Sequence, residues 1–304
     1  MKFKQKLTDI LLIAGMILPF LGCMALKVLT AVPADGISVT GAQVYFRIPL
    51  PVQDMPVTEA QVVSLAVLLF LFFLCLFLTR NLQMHPESTR QLVAEYIVEA
   101  TEKLVRTNMG EFFMGFAPFI AAILGISAVS SLSSLLGVFP PTSDINIIAG
   151  WAILVFILIT AYKLKGGAWN YVKGYFEPIP VFAPLNILGE VATPISMSFR
   201  HFGNVLSGVC ISALLAYAVG GLTNAVFSFL PATVNFPPIL RIGIPAVFSI
   251  YFDIFSGALQ AFIFAMLTML NISNGFPAEL YEKRQAKKAA KKAASAPLSA
   301  EANA

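Results

Sequence analysis

Charge is scarce in this sequence. Asp, Glu, Lys and Arg together make up 12% of 304 residues, against about 25% in an ordinary soluble domain. A soluble domain of this length could not clothe its surface with so few. That excludes a cytosolic enzyme, a secreted disulfide scaffold and a disordered chain. There are two histidines, His85 and His201, too few for a histidine-based metal site. The three cysteines, Cys23, Cys75 and Cys210, lie in apolar segments without metal-ligand spacing and read as buried small hydrophobes. No Walker loop, nucleophile–base arrangement or metal spacing occurs, so no cofactor and no nucleic-acid partner are expected.

What the chain has in abundance is apolar sequence. Hydrophobic residues make up 58%, including 26 phenylalanines, and several charge-free runs are long enough to cross a bilayer. The expected fold is an all-α polytopic membrane protein. It has five to six membrane helices and a surface amphipathic helix, with the last two helices long and tilted as a hairpin. Three parts follow: an N-terminal hydrophobic segment and outer loop (1–58), a membrane domain (59–278) and a basic cytoplasmic tail (279–304).

Basic residues up to Lys6 precede the apolar run Ile10–Leu29, broken only by Lys27. This fits a retained transmembrane helix or a signal sequence. Its length favours the helix, and Leu21-Gly22-Cys23 is only a weak match to a lipoprotein cleavage site. Residues 33–58 carry four prolines and read as a loop with a short extended piece at Val44–Ile48. Val62–Leu78 is a span. In Glu87–Arg106, apolar residues recur at helical spacing from Leu92 to Val105, with charges opposite. That predicts an amphipathic helix on the membrane surface or against a partner, with Glu99 and Lys103 spaced for an ion pair. Met114–Phe139 and Ile145–Tyr162 are further spans, separated by a sharp Pro140-Pro141 turn. Two apolar stretches of about 35 residues, Leu185–Gly220 and Ile239–Ile272, exceed what about 30 Å of hydrocarbon requires. They must tilt, break or lie partly along the interface, with Pro194 and Pro245 as bend points.

If the spans alternate and the C-terminus is cytoplasmic, every Lys and Arg except Lys27, Arg47, Arg200 and Arg241 falls in a cytoplasmic segment. Six segments then cross with both ends inside. If the first is cleaved, five remain and the N-terminus is outside.

Four ionisable residues fall in or near the last two spans: Glu190, Arg200, Arg241 and Asp253. A charge in the bilayer interior is costly and functional by default. Arg241 sits near a helix start and can snorkel. Arg200 is deep in its segment. It shares a helical face with Asn204, Ser207 and Ile211, as Asp253 does with Gly257, Gln260 and Phe264. Packed together, the two stripes would line an aqueous path holding a fixed positive charge. A purely structural pairing of Arg200 with Glu190 or Asp253 is the plainer alternative.

Ser198-Phe199-Arg200-His201-Phe202-Gly203-Asn204 resembles the signature of the a subunit of F-type ATP synthases. So do Pro184-Leu185-Asn186 with Glu190 and Pro194-Ile195-Ser196, the run Pro141–Asn146, and Gln260–Phe264. The resemblance implies an ion-translocating stator subunit in a bacterial plasma membrane. Its implied partners are a ring of c subunits, a b-subunit stalk, other synthase subunits and lipid. The translocated ion is H+, with Na+ open. Arg200 would face the ring carboxylates and separate two half-channels. Asn204, Asp253 and Gln260 would belong to the outer one and Glu190 to the cytoplasmic one, while Asp144 and Asn146 shape the outer mouth or simply cap the next helix. The chain departs from the family at Val209, where members often hold Glu. It also departs at His201, usually Leu, which is expected to pack, meet a lipid headgroup or relay protons. A secondary ion-coupled transporter with an Arg200/Asp253 site is the competing reading. It requires an internal repeat that the sequence does not display.

Overall fold

The computed structural model describes residues 2–30, 41–51, 53–84, 88–165, 167–177, 179–226, 247–248, 250–279, 281–283 and 286. Arg241, Pro245, the start of the last expected span and most of the basic tail lie outside the described residues. Among those described, six helical stretches are long and apolar enough to cross a membrane: Lys6–Leu29, Glu59–Thr79, Glu111–Leu136, Ile145–Leu164, Pro180–Leu222 and Ile250–Gly275. The protein is an all-α, multi-pass membrane protein. It divides into two compact units, Met1–Ile148 with Ser198–Met266, and Ala149–Met197 with Leu267–Ala304.

In the first unit, α1 (Lys2–Leu29) and α2 (Glu59–Thr79) run antiparallel. Ala60, Val63, Ala66 and Val67 recur at three- and four-residue spacing and are the buried face of α2, and the last three cluster with Cys23 of α1. Gly15 lies flat on Phe73, whose ring a Cβ would meet at 2.9 Å. Ion pairs tie the two ends. Asp9 Oδ1 takes Arg80 Nη1 at 2.8 Å and Arg90 Nη1 at 3.6 Å. At the far end Lys27 Nζ lies 3.1 Å from Glu59 Oε1, and the same oxygen accepts the Phe139 N–H at 2.9 Å.

The loop before α2 is more ordered than its prolines predict. β1 (Val44–Ile48) pairs antiparallel with β2 (Met55–Thr58), in register Phe46–Val57, Arg47–Pro56 and Ile48–Met55. Pro56 is tolerated because a two-stranded ribbon consists only of edges. The backbone N–H of Thr58 donates to Gln61 Oε1 at 3.2 Å and starts α2.

The amphipathic helix α3 (Thr89–Met109) is capped by Ser88, which accepts from Gln91 N–H, and ends at Gly110 with φ 87°. Val105 and Met109 are buried, but Leu92, Val93, Tyr96 and Ile97 are exposed. Among the described residues the first half of its apolar stripe is therefore uncovered, as expected for a helix on lipid or a partner. The expected Glu99–Lys103 pair does not form among the described residues. An exposed pair of this kind contributes only about 0.3–0.5 kcal/mol, too little to hold two long side chains together. Cys75, expected to be buried, is exposed, because α2 is apolar all round and only one face packs.

A 3-10 turn (Glu111–Phe116) leads into α4 (Ala117–Leu132), with Pro118 in its first turn where no N–H is needed. The second unit holds most of α5 (Ile145–Leu164), the short α6 (Ala168–Gly174) and the start of α7 (Ala183–Val226). It also holds the end of α8 (Gly257–Gly275). The helix α7 continues through Pro194, which cannot donate to the Glu190 carbonyl. Directly before α8, residues Ile250–Ser256 form a π-helical turn. Such turns are rare and frequently fall at functional sites; the sequence carries no sign of this one.

Candidate functional site

Arg200 is exposed on α7, on a face that also leaves Phe199, Gly203, Ser207 and Ile211 exposed. Among the described residues it forms no hydrogen bond or ion pair, so the structural pairing with Asp253 is not made. One turn further, Asn204 turns inward. Its Nδ2 donates to Ser256 Oγ at 2.8 Å, and that hydroxyl lies 3.1 Å from Asn204 Oδ1. Gly208 continues this face, where a Cβ would stand 3.3 Å from Phe252 Cβ. The two contacts run antiparallel along α7 and the π turn. Asp253 lies between them in sequence and is half-buried.

This corrects the expected register. Asn204 meets Ser256, and Arg200 stays outside the helix contact altogether. The physical reason is the π turn. Its wider winding rotates successive side chains less than an α-helix does, so Asp253 is not in α-helical phase with Gly257, Gln260 and Phe264. Those three are buried on α8. Gly257 is forced to be small: a Cβ there would lie 2.8 Å from Ser131 Cβ on α4.

His201 is fully buried. Its Nε2 lies 3.4 Å from Ser127 Oγ, and its ring meets Phe264 edge-on at 5.6 Å between centroids. The lipid-headgroup reading is therefore overturned. One residue past Arg200, the helix has turned enough to set this ring against α4 and α8 instead of the open side.

Asp144 caps α5. Its Oδ1 accepts the Asn146 N–H at 2.9 Å and the Asn146 side-chain amide at 3.1 Å. The expected mouth residues are thus brought together as a helix cap.

Glu190 sits in a cluster that the sequence does not foreshadow, entirely within the second unit. Lys163 Nζ lies 2.9 Å from its Oε1, and Tyr171 donates to the same oxygen at 2.9 Å. Tyr175 donates to Oε2, and the two tyrosine hydroxyls also touch each other. Burial first, then the hydrogen bonds to Glu190 and Tyr171, push the Tyr175 hydroxyl well above the usual phenol range. It therefore stays a proton donor. Asn186 fastens α6 to α7 by donating to the Tyr175 carbonyl at 2.8 Å. A cavity of about 480 Å³ opens on Lys163, Asn170, Tyr171, Tyr175, Asn186 and Glu190. In the sequence Lys163 looks like an orientation charge and residues 166–173 like a bare loop. The available signal is the Tyr171/Tyr175 pair at i,i+4, on one face of a helix.

The family model for the ATP synthase A chain matches residues 61–273. The chain belongs to this family. Among its relatives, "ATP synthase subunit a, sodium ion specific" of Propionigenium modestum is 30% identical over 266 residues, covering 77% of this chain and 84% of the relative. "ATP synthase subunit a" of Anoxybacillus flavithermus is 31% identical over 214 residues, covering 67% and 85%. "ATP synthase subunit a 1" of Crocosphaera subtropica is 28% identical, covering 70% and 85%. The protein is thus a membrane stator subunit that works within an ATP synthase complex. The family match begins at α2; α1 and the β-hairpin precede it.

Proposed function

We propose that this chain carries protons between two half-channels and the carboxyl groups of a rotating c ring, with Arg200 as the fixed cation between them. Glu190 serves the cytoplasmic half-channel, and Asn204, Asp253 and Gln260 the outer one. Asp144 and Asn146 lie at the outer mouth. A b-subunit stalk holds the chain still in a bacterial plasma membrane.

The observation that carries this reading is the exposed guanidinium in the middle of an apolar helix, unpaired among the described residues. An intramembrane charge needs a counter-charge or water, and none of the described residues supplies a carboxylate. A partner's carboxylate meets that need. Arginine suits the role because it keeps its proton even when desolvated, where lysine can lose it. A permanent cation keeps the passing carboxylate ionised and repels a cation that would leak from one half-channel to the other. One charge crossing 100 mV yields about 2.3 kcal/mol, so several ions must pass for each ATP, as a multi-site ring allows.

The test is Arg200→Lys in the assembled complex. Coupled ATP synthesis should be abolished while the complex still assembles; wild-type synthesis in that variant would sink the assignment.

A further inference from the structure

We infer that Lys163, Tyr171 and Tyr175 make the Glu190 site a proton-selective exit: Lys163 occupies the place a sodium ion would need, and the two hydroxyls relay protons from Glu190 to the adjoining cavity. This deepens the reading of Glu190 given above and rests on it.

Three contacts join the oxygens of Tyr171, Tyr175 and Glu190: each tyrosine to the carboxylate, and the tyrosines to one another. Two hydroxyl protons cannot fill three contacts while Glu190 is ionised. One contact always lacks its hydrogen, so the protons have alternative arrangements. Adding one proton to Glu190 completes the set. The cluster is therefore built to accept one proton and to release it again.

Release needs no other reagent than water. Glu190 Oε2 gives its proton to the Tyr175 oxygen as the Tyr175 hydroxyl proton passes to Tyr171. The Tyr171 proton passes to a water in the cavity that Tyr171, Tyr175 and Glu190 line. Three O–H bonds break and three form. Both tyrosines end neutral, Glu190 is again an anion beside the ammonium, and a hydronium ion leaves. The raised affinity of the tyrosines for their protons keeps them neutral between transfers.

Selectivity follows from occupancy. A hard cation needs several free oxygen ligands. Both Glu190 oxygens already accept donors, and the Lys163 ammonium at 2.9 Å places a like charge where Na+ would bind. Sodium would have to expel the ammonium, whereas a proton moves through bonds already in place.

The test uses the complete ATP synthase reconstituted in liposomes, with passive ion conductance measured after removal of the catalytic head. Tyr171→Phe/Tyr175→Phe should lower proton conductance about a hundred-fold, the low end of what a positioned proton-transfer group contributes. Adding Glu190→Gln should lower it no further. In Lys163→Gln, added NaCl should inhibit proton conductance as Na+ takes the vacated place; in wild type it should not. The wild type should also show a solvent deuterium isotope effect, which keeps the proposal testable if a variant fails to assemble. Wild-type conductance in the double tyrosine variant, with Glu190→Gln impaired, overturns the relay alone. Wild-type conductance in Glu190→Gln overturns the underlying reading. ATP-driven 22Na+ uptake by the wild type, sodium-insensitive conductance in Lys163→Gln, or no isotope effect in the wild type would each overturn proton selectivity at this site.

Discussion

Gly257→Ala is the smallest change that reaches the contact between α4 and α8. The added Cβ would stand 2.8 Å from Ser131 Cβ and 3.4 Å from Ser131 Oγ. Carbons in contact rest at about 3.5–4.0 Å, so the overlap is about 1 Å. Ser131 cannot turn aside, because its Cβ is fixed by the α4 backbone, and the residue is buried. The backbones must part, and the neighbouring Ser256 hydroxyl, 2.8 Å from Asn204 Nδ2, has no slack of that size. Overpacking of this kind costs about 1–3 kcal/mol. Alanine regains up to about 1 kcal/mol of helix propensity, less at a helix's first residue, so the clash wins. The assays are the melting temperature of the purified complex and ATP-driven proton pumping in inverted vesicles. Both should fall in Gly257→Ala and recover in the double variant with Ser131→Gly, which removes the colliding atom. A single variant that melts and pumps like wild type would show that the contact is not tight. A double variant no better than the single one would be equally damaging, because then the loss would not come from this contact.

Glu59→Ala should destabilise the complex by about 1–3 kcal/mol, since it leaves the Phe139 N–H without an acceptor. Glu59→Gln, which keeps the oxygen, should recover part of that in the same thermal melt. Asp9→Ala should cost about 1 kcal/mol, because its pairs with Arg80 and Arg90 are partly exposed. Limited proteolysis near Arg80 should accelerate, and an unchanged digestion rate would count against the α1–α2 tie.

Arg200 is legible from the amino acids alone because hydrocarbon makes an unpaired charge conspicuous. The spans are legible because a bilayer fixes the length of an apolar helix. Lys27 and Lys163, by contrast, look like mere punctuation and orientation signals. Their acidic partners lie 32 and 27 residues away, Glu59 and Glu190, and no periodicity in one helix reports a contact with another. β2 is hidden for the same reason: its pairing with β1 depends on a backbone register, and Pro56 argues against it.

The class of protein, its spans and the conspicuous charge of Arg200 thus follow from the order of amino acids. They rest on properties local to each segment: hydropathy, helical period and the cost of burying a charge. Which groups surround Glu190, that Asn204 meets Ser256, and that His201 lies against Ser127 and Phe264 emerge only from packing in three dimensions. So does the π turn that carries Asp253. Those outcomes depend on which helices meet and at what rotation, and a single turn with a different winding is enough to change every side chain's neighbour.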